Sequence, residues 1–399
     1  MSNLVKNRRI WDYTIVIFMI LISGGVVFFM MYALLFVPLF FVCSLLYFIR
    51  FKRKTEAVNL RILLFIFIYF LISYHLVAGD HVEGQFNTYI VYQILLVSSF
   101  FVISTITFDR FRCCYTNICC YLTIISSILF LLVMSNIVTP RLYNNNLLVF
   151  FDVYGENRVL GRLHGPFWEP GVLQIVLNIA LILNIDKLIC IKHFRKEIWK
   201  YLVIVSGILL TISTAGYINL LYIGVVCLLY SGLLKKNILL TVAVLIFSTI
   251  FISLLLSSNA IQGKLAQQGE DETSYEIRMA DNLGMLNMTM ERPFVGYGLA
   301  SKEYDDRSWF MNNRTSSNGI LFITSHIGIP FLLFYLLLVY YGIRRIYIKK
   351  IGIILFPVIV LLQTTEVFFY FPLSYIFIYK FNKKNSLEYA KNINIGNKP

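Results

Sequence analysis

Charge is what this sequence holds least of. Asp, Glu, Lys and Arg make up 14% of its 399 residues, where a soluble domain carries roughly a quarter. That shortage, with 58% hydrophobic residues and a mean hydropathy of +0.73, argues against a soluble globular enzyme. Cysteine is sparse and badly placed for cross-linking. Cys43, Cys113, Cys114, Cys119, Cys120, Cys190 and Cys227 all lie outside the two long polar segments, so a disulfide-stapled outer loop is excluded. The paired cysteines at 113–114 and 119–120 lack the C-x2-C spacing of a zinc site. There is no basic soluble domain to hold a duplex, so the net charge of +14 does not imply nucleic acid. No internal repeat of the kind common in transporters is visible. No small-residue cleavage site follows Lys6, Arg8 and Arg9, and the apolar run from Ile10 to Ile49 reads as two retained spans rather than a signal peptide.

What is present is a series of apolar runs of membrane length. A bilayer core needs about 20 apolar residues per helix, and such runs fall at 11–28, 33–49, 60–77, 88–108, 118–137, 170–185, 201–215, 217–234, 238–256, 319–341, 351–364 and 367–379. The chain therefore reads as a single polytopic domain over 1–399, an all-α integral membrane protein of about 12 transmembrane helices. Two polar segments interrupt it: an outer loop at 138–169, and a large outer (periplasmic) loop at 257–318 between spans 9 and 10. With both termini in the cytoplasm, about three quarters of the 35 Lys and Arg fall in cytoplasmic segments, as the positive-inside rule requires.

The chemistry is expected in these two loops. The first ends in RLHGPFWEPG, residues 162–171. Pro170 suits the first position of a helix, which puts Glu169 at the N-cap or first turn, where a carboxylate meets the positive end of the helix dipole. Glu169 and Trp168 are equally compatible with plain anchoring at the interface. Arg162 is a natural ligand for phosphate or pyrophosphate, and His164 adds a titratable group beside it. In the second loop, Thr273 and Glu276 form a capping box for a helix over 273–290. Ile277, Ala280, Leu283 or Gly284, Leu286 or Asn287, and Met290 recur at helical spacing, so that face is expected to pack on the membrane domain, with Arg278 off the stripe. Then come Arg292 and the PFVGYG segment, whose Gly296 and Gly298 permit close approach or positive φ, and Asn318 at the start of a span. His75, Asp80, His81 and Glu83 read as a solvated polar loop. Gln363 and Glu366 either line a cavity or cap a hairpin.

In order and context, residues 158–341 resemble the O-antigen polymerase family, related to the O-antigen ligases. The resemblance rests on RLHGPFWEPG leading into a span, on the turn LTISTAGY at 210–217, on an arginine-bearing loop helix followed by RPFVGYG, and on SSNGILFITSHIG. Two departures separate the chain from the ligases. Thr214 stands where they carry an Arg, and Ser317, before Asn318, stands where they carry a His.

The resemblance implies a GT-C-type membrane glycosyltransferase of the bacterial inner membrane. It would join undecaprenyl-pyrophosphate-linked oligosaccharide repeat units on the outer face and release undecaprenyl pyrophosphate. A pyrophosphate leaving group needs cations to hold its charge and a base to take the acceptor hydroxyl's proton. Arg162, Arg278 and Arg292 are the candidate pyrophosphate ligands, with Asn318 in the substrate site. Glu169 is the first candidate base and His164 the second. No DxD-like sequence stands in the outer loops apart from Asp305–Asp306, and neither a metal nor a cofactor is expected. The expected partners are the lipid-linked repeat units, membrane lipid and, by analogy, a chain-length co-polymerase. The rival readings are a lipid-linked oligosaccharide flippase or other transporter, and an O-antigen ligase.

Overall fold

The computed structural model describes residues 2–24, 32–51, 56–83, 85–135, 137, 162–167, 169–231, 274–311, 318–347 and 349–382. Among these, all regular structure is helical. The elements are α1 (Ser2–Ser23), α2 (Ala33–Phe51), α3 (Ala57–Ile72, prolonged by a π-turn Ser73–Val77), α4 (Gln85–Thr105), α5 (Phe108–Met134), α6 (Pro170–Leu183), the short α7 (Ile185–Ile189) and α8 (Ile191–Leu210). They continue with α9 (Thr214–Ser231), α10 (Ser274–Glu291), α11 (Lys302–Arg307), α12 (Gly319–Ile327), α13 (Ile329–Ile346) and α14 (Lys349–Thr364). The expected span at 238–256 lies outside the described residues.

Six of these helices are long and apolar enough to cross a membrane: α2, α3 with its π-turn, α4, α5, α9 and α13. Their polarity is turned outward-in. Leu35, Leu39, Val42, Leu46 and Ile49 make an exposed stripe on α2, while Asn59, Ser98, Ser99 and Ser104 are buried, as are Gln174 and Asn178 on the shorter α6. Exposed leucine stripes and buried amides are unfavourable in water and natural in lipid, where polar groups gather inside.

Buried charge is paired at one end of the bundle. Arg112, 4% exposed, binds Asp109 and Asp186, each at 2.7 Å, which ties α5 to α7. Asn184 donates to Thr116 at 2.6 Å, and the Tyr347 hydroxyl donates to the Ile182 carbonyl at 2.7 Å, bringing the end of α13 to the same level.

Two expected spans take other forms. The run at 319–341 is broken at Gly328 into α12 and α13, and α13 alone has spanning length. The run at 367–379 is not an α-helix. It is irregular chain with one 3-10 turn, Ser374–Phe377, lying alongside α4. Tyr370 stacks on Tyr92 (3.8 Å), Tyr379 meets Phe100 edge-on, and the Asn382 amide donates to the Ile106 carbonyl. At 1.5 Å per residue, the helix from Tyr92 to Ile106 is about 20 Å long. Residues 368–370 and 372–379 are all buried, and burial within protein is a setting in which non-helical backbone is tolerated at membrane depth. Polar side chains take the place of the missing helical bonds. Ser23 accepts from the Leu373 amide at 3.0 Å, and Asn59 accepts from the Lys380 amide (2.7 Å) and donates to its carbonyl (2.8 Å).

The loop helix α10 is present but packs on the face opposite to the one expected. Asp281, Met285, Met288 and Thr289 are buried, and Leu283, Leu286 and Met290 are exposed. The cause is α12. Its Thr324 hydroxyl meets that of Thr289 at 2.9 Å, and Met285 and Met288 join a small core with Tyr297, Tyr304 and Met311. The helix carries apolar residues on two faces, and periodicity cannot say which one the core takes. Thr273, half of the expected capping box, lies outside the described residues. The PFVGYG segment then closes α12: the Tyr297 and Gly298 amides donate to the Ser325 and His326 carbonyls (2.9 and 2.8 Å), which are orphaned at the end of α12.

Asn59→Leu should leave the Lys380 N–H and C=O unpaired in an apolar setting, at about 1–3 kcal/mol for each group. Thermal unfolding of the detergent-purified variant is expected at a clearly lower temperature than wild type. An unchanged midpoint would show that Asn59 does not hold the irregular segment.

Candidate functional site

Arg162 is held by the end of α8. The last carbonyls of a helix have no partner within it and form the negative end of its dipole. The Arg162 Nε donates to the Thr211 carbonyl at 3.1 Å and its Nη2 to that of Ile212 at 3.3 Å, while the Leu163 amide donates to Leu210 at 2.8 Å. These acceptors lie at the Leu-Thr-Ile-Ser turn before α9, where Ile212 takes a positive φ of 46°. Burial lowers the Arg162 pKa, Glu169 opposes that, and Arg278 adds to it. The guanidinium thus lies within electrostatic reach of both.

His164 is buried, and its Nδ1 lies 3.0 Å from the Phe167 carbonyl. A carbonyl only accepts, so Nδ1 carries the proton and Nε2 is the basic nitrogen. Burial pushes the His164 pKa down, which favours the neutral ring. The side chain closes the tight turn that carries Phe167 into the core.

Glu169 precedes α6 with extended backbone (φ −137°, ψ 151°), and its side chain makes no capping bond. The carboxyl instead meets Glu366, which lies just beyond the end of α14. Two glycines make room. A Cβ on Gly171 would stand 3.0 Å from Glu366 Oε1, and one on Gly319 would stand 2.5 Å from the Glu366 carbonyl oxygen. Burial, the charge of Glu169 and the hydrogen bond to it push the Glu366 pKa up to about 8, against the pull of Arg278. The Glu366 carboxyl therefore keeps its proton at neutral pH.

Asn318 caps α12, accepting from the Ile320 and Leu321 amides at 3.1 and 3.2 Å. Its Nδ2 donates to Asn282 on α10 at 3.1 Å. Arg278 is one turn before Asn282 on the same side of α10, and this is how an exposed arginine of the loop helix comes within reach of Glu366 and Arg162. The N-termini of α6 and α12 open onto the Glu366 turn, and both present positive dipole ends. The arrangement therefore offers two guanidinium groups, two helix N-termini and a carboxyl pair of which Glu366 is protonated at neutral pH. Such a set can hold a polyanion and accept a proton from a hydroxyl beside it.

The structure brings together Glu169, Arg162 and Arg278, with Asn318 joined through Asn282. It does not bring in Arg292, which pairs with Glu303 at 2.8 Å and lies over the Tyr297 ring at 4.7 Å. His164 belongs to the adjoining turn. Glu366 and Asn282 are the additions. His75 and His81 lie elsewhere, packed on Tyr74, with His81 stacked at 4.0 Å. Among the described residues no three His, Cys, Asp or Glu side chains are grouped as a metal would need. No family model and no curated protein matches the chain.

A carboxyl with a raised folded pKa binds a proton that the unfolded chain has already released. Its contribution to stability is therefore complete below the ordinary value of 4.5 and is lost as pH rises through about 8. Thermal unfolding between pH 6 and pH 9 should show wild type losing stability toward pH 9. Glu366→Gln should lose distinctly less; equal slopes would mean that Glu366 holds no extra proton.

Proposed function

We propose that the chain is a polysaccharide polymerase of the O-antigen type. It would be a GT-C-like glycosyltransferase of about 12 crossings that works on the outer face of a bacterial inner membrane. The observation that carries this reading is the carboxyl pair Glu169–Glu366 with Arg162 acting on Glu169 and Arg278 on Glu366. Transfer of a glycan from a polyprenyl pyrophosphate asks for these two elements side by side.

In this reading Arg162 and Arg278, aided by the N-termini of α6 and α12, hold the pyrophosphate. The acceptor hydroxyl oxygen attacks the anomeric carbon of the donor. The bond from that carbon to the pyrophosphate oxygen breaks, and its electron pair leaves with the pyrophosphate, where the two cations meet the growing charge. The hydroxyl proton passes to Glu169, while the neighbouring Glu366 keeps its own proton. Neither metal nor cofactor enters the scheme. Lipid-linked repeat units are donor and acceptor, and a chain-length co-polymerase is the partner expected by analogy.

A proton-coupled flippase is the second reading, because a carboxyl that titrates near neutrality beside an arginine also suits proton-linked transport. The surface-polysaccharide length profile of a strain lacking this chain separates the two. Loss of the ladder with a single repeat unit retained is the polymerase outcome. Loss of every repeat unit points to a flippase or ligase, and an unchanged profile removes the proposal. In the complemented strain, Arg278→Ala and Glu169→Gln should each lower polymerisation by about 100-fold or more with normal insertion in the membrane. Long-chain product from either variant at wild-type level would remove that residue from the mechanism.

A further inference from the structure

The loop helix α10 has a second apolar face that the described residues leave uncovered. Met279, Leu283, Leu286 and Met290 follow one another at spacings of four, three and four, which places them on one stripe. They are 45–69% exposed, and Phe294 and Val295, just after the helix, are 72% and 49% exposed. The stripe lies opposite the buried residues Asp281, Met285 and Met288.

The position of the stripe relative to the spanning helices shows what it meets. The Ile329 amide, at the first residue of the spanning helix α13, donates to the Pro293 carbonyl at 2.8 Å. A Cβ on Gly328 would stand 2.3 Å from the Phe294 carbonyl oxygen. Phe294 is thus packed by its backbone against the N-terminal end of a helix long and apolar enough to cross a membrane. One turn further along α13, Leu333 is 57% exposed on a helix with the length and composition of a span. Exposed apolar side chains therefore lie both on α10 and its following turn and near the start of the candidate span they pack against.

We infer that α10 lies in the membrane interface, its Met279–Met290 stripe and Phe294 set among the acyl chains of the leaflet on the Glu169–Glu366 side. The occupant is bulk phospholipid. An amphipathic helix in this setting sinks its apolar face about 5–10 Å into the boundary between headgroups and acyl chains. Two-faced polarity then has a single explanation, in which one apolar face belongs to the protein core and the other to the bilayer. The inference does not depend on the reaction performed at the neighbouring site.

The test uses the full chain, reconstituted in vesicles of phosphatidylethanolamine and phosphatidylglycerol. The photo-crosslinking residue p-benzoylphenylalanine is placed at Leu283, at Leu286 or at Phe294, and at the exposed Asp306 of α11 as the solvent control. All four positions are on the surface, so the substitutions spare the packing. After illumination, intact-mass analysis should show phospholipid adducts at the three stripe positions and a several-fold lower yield at Asp306. Cross-links from the stripe to another segment of the same chain, or to a second copy, would overturn the inference. Stripe yields of lipid adduct no higher than that at Asp306 would overturn it too.

Discussion

A backbone amide at membrane depth has no water to turn to, and that constraint shapes most of this molecule. Where the chain is helical the constraint is met locally. Where it is not, the protein has to supply partners one by one, and the segment at 367–382 shows how. It is packed against α4 by aromatic rings, and Ser23 and Asn59 supply bonds to its backbone. The end of α12 is treated in the same way, with the PFVGYG amides taking its orphan carbonyls. The end of α8 is treated so by Arg162. In that last case, satisfying the backbone also places a candidate functional cation.

Lipid-facing helices were the most legible elements, because their outward stripes follow directly from the solvent around them. Helices α2 to α4 and α9 fall within a few residues of the apolar runs that announce them, while α5 begins ten residues before its run at 118–137. The run at 367–379 is just as apolar yet is not a helix, since composition reports burial and says nothing of backbone form. Pro372 within a run this short was the one local warning. Gly328 and Pro330 likewise marked the break in the run at 319–341. The facing of α10 was misread for another reason. Both of its faces are apolar, and only the approach of α12 at Thr324 selects between them.

At the site, Glu169, Arg278 and Asn318 could be singled out because each sits at a helix boundary or off an apolar stripe, and Arg162 because an arginine in the outer loop suits a phosphate ligand. Arg292 had the same kind of signal, and its carboxylate partner Glu303 claims it. Glu366 could not be resolved from the chain alone. Its raised pKa comes from burial beside Glu169, a residue remote in sequence, and from two glycines whose missing side chains let the carboxyl in. A glycine at 171 or 319 looks unremarkable in a list of residues and becomes informative only when its neighbours in space are known.

The setting of α10 joins these parts. One face rests on α12, and through Asn282 and Asn318 that contact fixes the helix relative to the Glu366 turn. Arg278 lies about a quarter turn from the exposed stripe, at 100° per residue. If the stripe sits among acyl chains, Arg278 sits at headgroup level, beside Arg162 and the two helix N-termini. A pyrophosphate on a membrane-anchored isoprenoid is confined to that same level. Under the proposed function, guanidinium groups held there would meet it without the chain having to lift its lipid out of the bilayer, so the membrane itself would supply part of the orientation that a soluble transferase builds from a deep pocket.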